Sequence, residues 1–116
     1  MSFWRQEVAQ PALDEDVERA IAEQRAILDR EPANARAHFA LGTLLQFSGH
    51  IETAAGCFER AIACDPRYAA PHASLGRLRA VQGDSAAAWR HAREAERLGD
   101  RSLLELLERY PNAAPR

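Results

Sequence analysis

The sequence predicts an all-α chain, a stack of helix-turn-helix repeats forming a fragment of an α-solenoid, with about six helices and a short N-terminal segment. Three observations carry this expectation. Ala37, Leu41, Leu44 and Leu45 recur at i, i+4, i+7 and i+8, which is one face of a helix. Ser48-Gly49-His50 interrupts the pattern; Ala54, Phe58, Ala61 and Ile62 resume it on a second helix, and Asp65-Pro66 ends that one. The whole unit then returns 34 residues later, with Ala35 opposite Ala69, His38 opposite His72, Leu41-Gly42 opposite Leu75-Gly76, and Leu44 opposite Leu78. Gly49 meets Gly83, Ala54 meets Ala88, and Ala61 meets Ala95 in the same register. A fixed period of this length marks helical pairs that bury their apolar faces on one another.

Taken in order, the single domain of residues 1–116 divides into a degenerate repeat (1–34), two clear repeats (35–68 and 69–101), a capping helix (102–110) and a disordered tail (111–116). In the first, Trp4 falls opposite His38, Ala20 opposite Ala54 and Pro32 opposite Pro66, but Glu7-Val8 replaces Leu-Gly. Pro11 lacks an N–H and clashes with the preceding turn, so it is expected to cut the opening helix short. A helix over 14–30 follows, capped by Asp14, with Val17, Ala20, Ile21, Ile27 and Leu28 as its apolar face. In 35–68, Gly42 stands inside a helix, where glycine costs about 1 kcal/mol against alanine. A close backbone approach beside Ala54 or Ala61 would offset that. The next repeat is thinner: Arg79 replaces Leu45, Ala92 replaces Phe58, and Asp100 replaces Pro66, with Trp89 supplying volume beside Ala88. Last, Ser102 is the expected N-cap of a short helix whose apolar side is Leu103, Leu106, Leu107 and Tyr110 and which Pro111 terminates. Such a helix covers the open edge that every repeat array leaves at its end.

The spacing His38-x₂-Leu41-Gly42-x₂-Leu45, then Ala54-x₃-Phe58, Ala61 and Pro66, resembles the tetratricopeptide repeat, whose signature is W-x₂-L-G-x₂-Y, A-x₃-F and P. Leu75, Gly76, Ala88 and Ala95 repeat it. In that family the first helices of successive pairs line a concave groove that takes an extended or helical peptide from a partner protein. Carried over, the resemblance implies a groove of Arg36, Phe39, Thr43, Gln46 and Phe47, continued by Ala70, Ala73, Arg77, Ala80 and Val81. Some members grip a peptide C-terminus there with lysines and asparagines. Phe39, Thr43 and Arg77 stand at those places here, which suits an apolar peptide with an acidic flank.

Composition excludes several classes. The 116 residues contain arginine but no lysine, and the net charge of −2 is wrong for a general nucleic-acid binder. Acidic residues crowd the first 31 positions, while Arg67, Arg77, Arg79, Arg90, Arg93 and Arg97 make the later part of the chain basic; the two readings of this asymmetry are a solvated surface and head-to-tail association of copies through ends of opposite sign. No apolar run approaches the roughly 18–20 residues of a membrane span, so no membrane partner is expected. The start, MSFWRQEVAQPALDED, lacks the basic and apolar regions of a secretion signal, and the expected location is the cytoplasm.

Chemistry-bearing residues are few. Cys57 and Cys64 lie seven apart on one helix, about 10 Å by backbone rise, beyond the roughly 7 Å reach of a disulfide. No C-x-x-C or H-x-x-x-H spacing exists, so neither metal nor cofactor is expected. His38 and His72 occupy the family's aromatic place and are read as packed, hydrogen-bonded rings, whereas His50 and His91 are read as surface residues. Cys57 and His91 are repeat-equivalent and therefore about 8–10 Å apart, too far for a nucleophile and its base. Asp14-Glu15-Asp16 suits a helix N-terminus without invoking catalysis. The expected function is a non-catalytic protein-interaction module, and the alternative is a self-assembling scaffold whose groove is filled by its own or a neighbouring chain.

Overall fold

A computed structural model describes residues 2–110, with side chains from residue 14 onward. Among the described residues there are six helices and no strand: α1 (Ser2–Arg30), α2 (Ala35–Phe47), α3 (Ile51–Cys64), α4 (Ala69–Val81), α5 (Ser85–Arg97) and α6 (Ser102–Arg109). The side chains of Phe3 and Trp4, and the tail predicted for 111–116 with its terminating Pro111, lie outside the described residues.

Helices α2–α3 and α4–α5 are antiparallel hairpins, and each closes on a glycine. Gly49 and Gly83 take φ of 88° and 84°, a left-handed conformation that L side chains rarely adopt. Around them the same pair of bonds recurs: the His50 and Gly49 N–H groups donate to Leu45 and Gln46, and those of Asp84 and Gly83 to Arg79 and Ala80. Gly99, with φ of 106°, ends α5 in the same way. Side-chain caps begin two helices: Asn34 accepts the Ala37 N–H and Asp84 the Ala87 N–H, at 3.0 and 3.1 Å.

The N-terminal region departs from the expected helix pair. α1 is one helix of 29 residues that runs through Pro11, with Asp14 in its interior rather than at its cap. The reason is the missing breaker. The register that places Gly49 and Gly83 at the turns places Glu15 here, and a non-glycine residue resists the positive φ that such a turn requires. Val17, Ala20, Ile21, Ile27 and Leu28 are half-buried, and Ile21 and Leu28 pack on the core of the first hairpin. α1 is thus a single helix laid against α2.

The core has two parts that meet at α4. Leu41, Leu45, Ala54, Ala55, Cys57 and Phe58 of the first hairpin cluster with Leu75 and Leu78 of α4. Ala73 of α4 clusters with Ala88, Trp89, Ala92 and Ala95 of α5 and with Leu103, Leu104 and Leu107 of α6. The glycines inside α2 and α4 explain the fit. A Cβ at Gly42 would lie 2.7 Å from the Phe58 ring and 3.1 Å from the Cys57 Cβ, so the close neighbour is an aromatic ring, not the backbone beside Ala54 or Ala61. At Gly76 the corresponding atoms are Leu103 Cδ2 at 2.5 Å and His91 Cβ at 2.8 Å. Where α5 has Ala92 in place of Phe58, α6 inserts Leu103 instead.

Two details of α6 correct the sequence reading. Ser102 is the first helical residue and Arg101 the N-cap, with no side-chain cap bond; one residue earlier, the Asp100 carboxylate accepts both the N–H and the hydroxyl of Ser102, at 2.9 and 2.6 Å. Those bonds hold the Asp100 pKa below its ordinary value. The buried leucines are Leu103, Leu104 and Leu107, whereas Leu106 and Tyr110 remain exposed.

The notch at Gly42 yields a coupled prediction. Phe58→Ala is expected to destabilise the fold by about 3–5 kcal/mol, because the removed ring is fully buried. Gly42→Ala gains about 1 kcal/mol of helix propensity, but overpacking against the ring costs about 1–3 kcal/mol, so the net effect is a loss. That loss should shrink or reverse in a Phe58→Leu background. Urea titration of the four-member cycle measures the coupling, and additive effects would show that the ring does not occupy the notch.

Candidate functional site: an apolar recess between α4 and α6

Among the groove residues expected from the sequence, the structure separates two sets. Phe39 is half-buried: its ring lies 5.6 Å from that of Phe58 and 5.5 Å, edge-on, from that of Tyr68. Arg36 lies over the other ring of this ladder, 5.4 Å from the Tyr68 centroid. Both are engaged in joining α2 to the start of α4. Thr43 is exposed and its hydroxyl donates to the Phe39 carbonyl; Gln46 is half-buried. Ala70 is half-buried, and Ala73 is buried in the second core.

The other set is open. Phe47 and Val81, repeat-equivalent residues at the ends of α2 and α4, are 75% and 84% exposed, and Arg77 is exposed. Arg77, Ala80 and Val81 form one wall of a recess of about 220 Å³, and Leu103, Leu106, Leu107 and Tyr110 of the C-terminal helix form the other. Its surface is almost wholly carbon, with the Arg77 guanidinium as its charged group. The apolar period of α6 does not reveal this second wall, because it puts Leu106 and Tyr110 on the buried side. On an eight-residue helix, however, burying Leu103, Leu104 and Leu107 turns those two side chains outward.

Among the larger openings, two are lined by charged as well as apolar side chains. One, of about 530 Å³, lies between α1 and the end of the first hairpin and is lined by Glu18, Arg25, Asp29 and His50 together with Ile21 and Leu45. The other, of about 450 Å³, lies between α3, α4 and α5 and holds His72, His91, Glu59, Arg79, Asp84 and Arg90. Arg79, standing in place of Leu45, donates to Glu59 at 3.2 Å and to the side-chain Oε1 of Gln82 at 2.8 Å, and the Gln82 Nε2 donates to Glu52 at 2.7 Å. This chain of polar groups ties α3 to the end of α4.

The histidines divide differently from the sequence expectation. His38 is buried and its Nε2 donates to the Pro32 carbonyl at 2.8 Å. His72 is equally buried, yet neither ring nitrogen has a hydrogen-bond partner. His91 is half-buried, not a surface residue, with its ring 5.8 Å from that of His72. It turns inward because its Cβ closes on the Gly76 notch. Burial, then the neighbouring His72, Arg90 and Arg79, push its pKa below the ordinary histidine value against a smaller opposing effect of Glu59.

Both cysteines are free thiols, Cys57 buried and Cys64 exposed, and burial raises the Cys57 pKa. No group of three or more His, Cys, Asp or Glu side chains is placed to hold a metal ion among the described residues. No described helix is long and apolar enough to cross a membrane.

Two outcomes follow from these environments. Cys64 should react with an aromatic disulfide reagent in the native protein, and Cys57 only at the rate of unfolding; equal rates would contradict the burial of Cys57. His91 gains its proton more readily unfolded than folded. Its contribution is therefore undiminished above the ordinary histidine value of about 6.5 and is lost as pH falls through that value towards the lower folded one. Urea titrations across this window should show stability declining on acidification, and His91→Gln should flatten the decline.

No protein-family model and no curated protein matches the chain.

Proposed function

We propose that the chain is a non-catalytic protein-interaction module, a stack of tetratricopeptide-type hairpins working in the cytoplasm. It holds an apolar peptide or helical segment of a partner protein in the groove along the first helices of its hairpins. The observation that carries this reading is the recess between α4 and α6, where Val81, Leu106 and Tyr110 stand exposed around an apolar floor. Exposed apolar side chains gathered around one concavity are a common mark of a binding surface. Arg77 at its edge suits an acidic residue beside the ligand's apolar anchor.

The ladder of Phe58, Phe39 and Tyr68 alters which groove residues belong to the reading. Phe39 serves the packing of the hairpins, so its removal would weaken the fold along with any ligand. Phe47, Arg77 and Val81 remain as ligand contacts, joined by Leu106 and Tyr110.

Self-association is the second reading, and charge favours it. Asp14, Glu15, Asp16, Glu18, Glu23 and Asp29 are exposed on α1, while Arg90, Arg93 and Arg97 are exposed on α5 at the other side of the chain order. Sedimentation over a wide concentration range distinguishes the two, since a peptide-binding monomer keeps one mass and a scaffold does not.

The direct test is selection from a displayed peptide library on the wild-type protein. Enriched peptides should carry a large apolar side chain beside an acidic one. Val81→Asp and Arg77→Glu should each weaken their binding about tenfold or more, and Arg60→Glu on α3 should leave it unchanged. Selected peptides that bind all three variants equally would place the binding surface elsewhere.

A further inference from the structure

The cavity between α3, α4 and α5 shares no residue with the recess, and it sets charged and imidazole groups beside apolar Ile62, Leu75 and Ala87. His72 projects from α4 into it, 8% exposed, with both ring nitrogens unpartnered. A neutral imidazole has one donor and one acceptor, and leaving either unsatisfied in a buried place is costly. His91 stands against it from α5 with ring centroids 5.8 Å apart.

The charges around the two rings are unequal in freedom. Glu59 of α3 is held by Arg79 of α4 at 3.2 Å, and Asp84 is spent on the Ala87 N–H at the cap of α5. Glu94 of α5, which also feels His72, is bonded to Arg97. Arg90 lines the cavity, is exposed to solvent and makes no ion pair or hydrogen bond among the described residues. Both nearby cations bear on His91, whereas the carboxylates already have donors.

From this arrangement we infer that the cavity is a binding site for a small oxyanion, phosphate or carboxylate, held by the imidazoles of His72 and His91 and the guanidinium of Arg90. An oxyanion accepts from all three groups at once, which the protein's own carboxylates do not. Its negative charge also offsets the penalty on a protonated His91, so binding draws a proton onto that ring. Affinity is therefore highest at acid pH and falls as pH rises through the lowered His91 value. With about 450 Å³ of space, the cavity admits an organic group attached to the anion. A pairing of unsatisfied imidazole with unpaired guanidinium favours such a ligand over a cation.

The experiment follows the imidazole resonances of the intact chain while inorganic phosphate is added against sodium chloride at matched ionic strength, with acetate in a parallel arm. The expected result is a saturable shift at His72 and His91 with none at the exposed His50. Half-saturation should move to about tenfold higher concentration in Arg90→Gln, the worth of one charge-assisted hydrogen bond, and Arg90→Lys should recover part of it. The arm that saturates at the lower concentration identifies phosphate or carboxylate as the anion. Shifts that never saturate, that appear equally at His50, or that Arg90→Gln leaves unaltered would overturn the inference and assign the His72 nitrogens to solvent.

Discussion

The ring of Phe58 lies where a side chain at residue 42 would begin, and much of the first hairpin depends on that exclusion. A glycine inside a helix is locally unfavourable, yet it lets α3 come close enough for the ring to be fully enclosed. Once enclosed, Phe58 supports Phe39, Phe39 supports Tyr68, and Tyr68 stands at the start of α4. Packing of one hairpin thereby sets where the next begins. The recess and the histidine cavity both use α4 as a wall, so each inherits its placement from this contact.

The second hairpin meets the same requirement by other means. Ala92 is too small to reach Gly76, and the space is taken by Leu103 from α6 and by the base of His91 from α5. α6 is consequently part of the core and not an appendage. Drawing Leu103 inward rotates Leu106 and Tyr110 outward, and drawing the His91 base inward brings its ring to His72. Both candidate sites can be traced to the replacement of one aromatic residue by alanine. Buried alanines along α5 leave the helices close together, with Trp89 as the large exception.

The helices of the first hairpin were legible because turn glycine, apolar period and proline stop agree with one another, and the 34-residue register carried the pattern on to α4 and α5. α1 is different, since Pro11 near its start signals a break while Glu15, where the turn glycine would stand, signals continuation, and the second signal prevails. Phe39 illustrates a different limit. On its own helix it points away from the Leu41 face, and the positions of Phe58 on the next helix and of Tyr68 between helices show that its ring is partly covered. The inward turn of His91 was hidden for a related reason: helical periodicity reports one favoured face, and α5 is pressed from two sides, by α4 and by α6. Of the groove residues assigned by resemblance, Arg77 and Val81 line an opening, whereas the wall facing them depends on how an eight-residue helix rotates.

Because Leu103 fills the Gly76 notch, the fold has a preferred place for growth. A hairpin docked after α5 would have to expel α6 or offer its own leucine at the same point. Between α3 and α4 there is no such obstacle. A tandem copy of residues 35–68 inserted after Tyr68 would set Leu41 and Leu44 where Leu75 and Leu78 now pack, leucine for leucine, and would present an unchanged α3 face to α4. Duplication in the middle of the chain would preserve both ends, so lengthening by whole hairpins belongs at that junction and shortening at the same joint.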